Sequence, residues 1–168
     1  MLQAAVLVLF PALMIFAAVS DLFTMTISNR VSIGLVLIFI PLAYFSGIAP
    51  AEIAVHLAIG FGILVLTFGM FAFGWIGGGD AKLAAATAIW MGLDRLADYG
   101  LDAALAGGLL TLFILQLRRW PLPAWANAVQ WLPRLHDRNA GVPYGIALAA
   151  AGLFVYPETH LWTVALSG

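Results

Sequence analysis

Six apolar runs, broken only by short turns of glycine and a few polar residues, limit what this chain can fold into. They span approximately Leu2–Ser20, Val31–Phe45, Ile53–Phe73, Ala81–Leu93, Leu101–Leu117 and Val142–Tyr156. Of 168 residues, 64% are hydrophobic and 9% charged, whereas a soluble domain carries about a quarter charged residues. So few polar groups cannot cover a surface facing water, and the mean hydropathy of +1.04 agrees. No ten-residue alternating pattern appears, which favours helices over an outer-membrane barrel. The expected fold is all-α: a polytopic integral membrane protein of about six transmembrane helices in a single domain, 1–168.

Several runs are shorter than the roughly 20 residues that a bilayer core requires, the fourth most clearly. It must extend through the preceding glycines, thin the bilayer, or be partly re-entrant. Orientation follows from the basic residues. With the N-terminus outside, Arg30, Lys82, Arg118, Arg119, Arg134 and Arg138 fall in inner connections, and only Arg95 falls outside. Such a bias predicts an N-out, C-out protein. Glu52, Asp94, Asp98, Asp102 and Glu158 collect on the outer side. No Lys or Arg precedes Leu2–Ser20, so it is read as a span and not as a cleaved signal.

The longest polar connection, about 118–140, contains Trp120, Trp125, Trp131, Pro121, Pro123 and Pro133. Trp125, Ala128, Val129 and Leu132 recur at helical spacing, with Asn127 and Gln130 off that face. This predicts a short helix lying in the cytoplasmic interface.

Two aspartates stand at membrane edges on the expected cytoplasmic side. Asp21 ends the first run, near Thr24, Thr26, Ser28 and Asn29, which are able to orient a carboxylate or cap the next helix. Asp80 follows Gly77, Gly78 and Gly79 and precedes Lys82. A bland account exists for each. Asp21 can simply end a span in interfacial water, Asp80 can be a helix N-cap, and Lys82 can snorkel. Taken together, two acids on one side and a run of three glycines suit acid–base hydrolysis of a peptide bond.

Other chemistries find less support. The absence of cysteine excludes disulfides, thiolate metal sites and a cysteine nucleophile. His56, His136 and His160 share no metal-ligand spacing, so no metal or cofactor is expected. No nucleophile elbow is present. The net charge of −1 gives no indication of a nucleic-acid partner. A transporter or proton relay is the alternative, but it would step acids through the bilayer, and here the midplane positions are apolar.

Gly77-x-Gly79-Asp80-x-Lys82-Leu83 resembles the G-x-G-D motif of the type IV prepilin peptidases, which are intramembrane aspartic proteases. Asp21…Ile27-x-Asn29 is similar to the segment around that family's first catalytic aspartate. Val142-Pro143-Tyr144-Gly145-Ile146-Ala147 resembles the motif opening its last span. The order and spacing point to the short TadV or CpaA type, which serves tight-adherence (Flp-type) pili. The resemblance implies catalysis by Asp21 and Asp80 at the cytoplasmic membrane edge. The implied substrate is a prepilin, a basic leader joined to one apolar helix. Two close carboxylates would share one proton, one activating water and the other polarising the scissile carbonyl. The glycines at 77–79 would admit an extended substrate strand. Lys82 and Asn29 would shape the loop, and Pro143 and Gly145 would set the packing of the last span. Many relatives have proline where this chain has Ser28. The cysteine-paired insert associated with N-methylation of the product is missing, so the resemblance implies peptidase activity without methyltransferase activity.

Overall fold

The computed structural model describes residues 1–123, 126, 129 and 131–167, and these are helices and connections with no strand among them. Four long helices come first: α1 (Leu2–Thr24), α2 (Asn29–Phe45), α3 (Pro50–Ala72) and α4 (Gly78–Leu117). They are followed by α5 (Trp131–His136), α6 (Gly145–Val155), a 3-10 turn (Tyr156–Glu158) and α7 (His160–Ser167).

α1, α3 and α4 are long and apolar enough to cross a membrane, and α2 and Gly145–Glu158 are shorter apolar helices. At 1.5 Å per residue a straight α4 would run about 60 Å, twice a bilayer core. It does not stay straight. Gly92 has φ 65° and ψ −176°, a conformation that residues bearing a Cβ rarely adopt. The chain turns back there, bringing Tyr99 beside Thr87. α4 therefore makes two antiparallel passes, 78–91 and 93–117, and the six expected spans become six helical passes. The first pass starts within the glycines, at Gly78, and is still only about 20 Å long.

The described helices depart from the expected spans at two places. The outer loop expected between the fourth and fifth spans does not exist, because residues 94–100 are helical and Gly92 alone makes the reversal. Asp94 thus begins a helix, and Arg95 pairs with Glu158 at 2.7 Å and Asp98 at 3.2 Å. In the long connection, the described helix is Trp131–His136. Trp125, Asn127, Ala128 and Gln130 lie outside the described residues. Pro133 falls in the first turn of that helix, where its missing N–H breaks no intrahelical bond. Finally, α7 follows the last span, where no helix was expected.

An aromatic cluster in the core joins α1, α2, the first pass of α4 and the end of α6. Phe10 of α1 stacks against Trp90 at 4.9 Å and Tyr156 at 4.3 Å, and Phe39 of α2 meets Trp90 edge-on. Both polar aromatics are satisfied. Trp90 donates its indole N–H to the Leu35 carbonyl, and Tyr156 donates its hydroxyl to the Val6 carbonyl. Outward faces remain apolar, with Phe61, Val65, Leu105 and Leu109 among the exposed side chains, as lipid contact requires. One end of the bundle gathers the connections 25–28, 73–77 and 118–144. That end carries all the basic residues except Arg95.

Candidate active site

Asp21 lies in the last turn of α1 and is 5% exposed. Just beyond it the helix stops at Met25, whose left-handed backbone (φ 54°) turns the chain toward α2. Ser20, Thr24 and Thr26 spend their hydroxyls on this turn. Thr24 reaches the Ser20 carbonyl and the Thr26 hydroxyl, each at 2.7 Å, and Ser20 donates to the Thr26 carbonyl. Ser28 caps α2 by accepting from the Arg30 N–H at 3.3 Å. None of these residues holds the Asp21 carboxylate. That role falls to Gly145, the first residue of α6, whose N–H donates to Asp21 Oδ2 at 2.7 Å. A helix start leaves such N–H groups without intrahelical partners, and the buried carboxylate supplies one.

Asp80 sits in the first turn of α4, half-buried, with its carboxylate against the Gly77 backbone. It is near enough to Asp21 for the charge on one to act on the other. Tyr144 and Tyr99 also lie within its electrostatic range. The glycines explain how the approach is possible. A Cβ at Gly77 would lie 2.7 Å from Asp80 Oδ2, and one at Gly79 would lie 3.2 Å from Ile27 Cβ. A Cβ at Gly145 would stand 2.6 Å from Ile27 Cδ1 and 2.8 Å from Asp21 Oδ2. Ile27, 9% exposed, therefore fills the wedge between the two aspartate-bearing helices and α6. Gly78 faces the Phe71 ring instead.

The remaining residues singled out in the sequence surround this pair. Lys82 lies one half-turn below Asp80 and donates Nζ to Asn29 Oδ1 at 2.9 Å, tying α4 to the start of α2. Pro143 is fully buried just before α6. Tyr144, between Pro143 and Gly145, donates its hydroxyl to the Ala103 carbonyl at 3.1 Å and lays its ring on Gly107. Tyr144 thereby braces the α6 start against the second pass of α4. Its presence in the motif was visible in the sequence, but its contact across forty residues was not. Arg118 gave still less warning. It reads as one more inner charge, yet it is 7% exposed and donates to the carbonyls of Leu135, Ala140 and Gly141. It clamps the long connection against the end of α4.

Among the described residues no cluster of His, Asp and Glu could hold a metal ion. What the geometry offers is a pair of carboxylates, one buried and one half-buried, where two helices start and one ends. Residues 8–115 match the model of the type IV leader peptidase family. The chain belongs to that family. The matched segment includes both aspartates, the glycine run, Asn29 and Lys82, while Pro143 and Gly145 lie beyond it. No curated protein and no solved structure matches the chain. Membership makes the protein a peptidase of prepilin leaders in a membrane setting.

Proposed function

We propose that this leader peptidase is an aspartic endopeptidase in which Asp21 and Asp80 act as one acid–base unit on Flp-type prepilins. One carboxylate takes a proton from water as that water attacks the scissile carbonyl. The other donates a hydrogen bond to the carbonyl oxygen and then helps protonate the leaving amine. The observation that carries this reading is the placement of Asp21 and Asp80 within electrostatic range at one end of the bundle. The family match favours this reading over the relay alternative.

The bias of Arg and Lys toward the aspartate end supports a cytoplasmic active site in a bacterial inner membrane. A basic leader would then meet the dyad from the cytoplasm. Helical peptide bonds are closed to attack, so the scissile segment must be extended at this edge. Lys82 and Asn29 shape the loop beside the dyad, and Pro143 and Gly145 fix the start of α6 against Asp21. The short length and the Val142–Ala147 motif support the TadV or CpaA type. With no cysteine-paired insert, the chain leaves the new amino terminus unmethylated.

The test is purified protein in proteoliposomes with a Flp-type prepilin, read by mass spectrometry. Release of the leader is expected, with an unmethylated product even when S-adenosylmethionine is supplied. Proton flux across the same vesicles without any cleavage would replace the peptidase reading with the relay.

A further inference from the structure

Tyr144 stands at the N-cap of α6 and makes no cap bond with its side chain. The side chain reaches across to the second pass of α4, where its hydroxyl donates to the Ala103 carbonyl at 3.1 Å. One turn further along the same helix face, Gly107 leaves a socket for the ring. A Cβ at Gly107 would fall on the ring and hydroxyl of Tyr144, whereas one at Gly108 would meet open space. Glycine inside a helix forgoes stability that alanine would supply, so what position 107 gains is room for the tyrosine. From Ala103 to Leu117 this pass carries no charged residue, and it offers the reaction no acid or base of its own.

The backbone of Tyr144 leads to Asp21. Pro143 before it is fully buried, and its carbonyl accepts from the Ile146 N–H at 3.3 Å. The Tyr144 carbonyl accepts from the Leu148 N–H at 3.1 Å, and the Gly145 N–H holds Asp21 Oδ2 at 2.7 Å. That carbonyl and that N–H share one rigid peptide plane, so a displaced tyrosine carries the N–H with it. Asp80 lies within electrostatic range of the same phenol. We infer that Tyr144 is a positioning residue for the aspartate pair: seated in the Gly107 socket, it lets the second pass of α4 set where the Asp21 carboxylate stands. The inference rests on the aspartic-peptidase reading above and adds to it Tyr144 and Gly107, two residues outside the pair.

The test reads cleavage of full-length Flp-type prepilin by the whole chain in proteoliposomes, with thermal aggregation in detergent followed alongside. Gly107→Ala keeps the tyrosine and fills its socket, and should lower kcat by about tenfold with KM within about twofold of the parent. Tyr144→Phe keeps the ring and removes only the hydroxyl, and should lower kcat by about threefold with KM unchanged. Gly108→Ala, beside open space, should match the parent. The decisive readout is a double-mutant cycle with Gly145→Ala. Disturbances that pass through one N–H do not multiply, so Gly107→Ala/Gly145→Ala should lie within about threefold of Gly145→Ala alone. Tyr144→Phe/Gly145→Ala runs the same cycle and decides the matter if Gly107→Ala does not extract as monodisperse protein. Losses that multiply fully, losses seen in KM and not in kcat, or both single variants within twofold of the parent overturn the inference and leave the peptidase reading intact. A parent that cleaves nothing defeats that reading and the inference with it.

Discussion

Replacing Gly145 with alanine tests whether the start of α6 positions the Asp21 carboxylate or merely packs against it. The backbone at 145 has ordinary helical geometry, so alanine brings no conformational strain and gains about 0.5–1 kcal/mol of helix propensity. The new Cβ, however, would lie 2.8 Å from Asp21 Oδ2, 3.1 Å from its Cγ and 2.6 Å from Ile27 Cδ1. Ordinary contact begins at 3.4 Å, so the carboxylate must retreat by about 0.6 Å from the N–H that holds it. Overpacking of this kind costs about 1–3 kcal/mol, partly offset by the propensity gain. Misplacing a catalytic group by about 1 Å costs about a hundredfold, so kcat should fall by about ten- to a hundredfold. Prepilin cleavage in proteoliposomes gives kcat, and thermal aggregation in detergent gives stability. Adding Ile27→Val removes the Cδ1 methyl and relieves the closest contact without freeing the carboxylate. The double variant Gly145→Ala/Ile27→Val should therefore recover stability but not kcat. Gly145→Ala with kcat within about twofold of the parent would refute the positioning argument.

The exposed Lys82–Asn29 hydrogen bond should contribute less than about 1 kcal/mol, and a double-mutant cycle with Lys82→Ala and Asn29→Ala measures that coupling directly. Arg118→Leu leaves the carbonyls of Leu135, Ala140 and Gly141 without their donor and should destabilise the connection by about 2–4 kcal/mol, seen as faster proteolysis between residues 119 and 140. Arg118→Lys should not rescue it, because an ammonium cannot reproduce the guanidinium fork; full rescue would show that charge alone suffices. A single cysteine at Asn139 should label only from the cytoplasm and one at Ser46 only from outside, and the reverse pattern would invert the topology.

The sequence disclosed what composition and cost make conspicuous. Six apolar runs predict the helical bundle because nothing else satisfies backbone groups in lipid. Asp21 and Asp80 stand out because carboxylates are expensive beside a membrane, and the structure brings them to one end. What stayed hidden depends on contacts distant in the chain. Gly92 looks like any other glycine between Met91 and Leu93, and only its φ of 65° marks it as the reversal that makes two passes of one helix. Gly145 appears in a motif, but its N–H on Asp21 spans 124 positions of sequence. The glycines at 77–79 were expected to leave room for a substrate strand. In the structure the space beside each is taken from within, Gly77 by the Asp80 carboxylate, Gly78 by the Phe71 ring and Gly79 by Ile27. Arg118 served only as an orienting charge until its burial against three carbonyls became visible.

The most direct measurement is the cleavage rate of Asp21→Asn, Asp80→Asn and the double variant, with membrane level and monodispersity followed in parallel. Asparagine keeps the size of the side chain and removes the ionisable group, so both single variants should insert and fold like the parent. Each should lose nearly all cleavage, and the double variant should be scarcely worse than either, because residues acting as one unit are not additive. Asp94→Asn and Asp98→Asn, at the opposite end of the bundle, should retain full activity. Well-folded Asp80→Asn that still processes prepilin at near-parental rate would contradict catalysis by the Asp21–Asp80 pair.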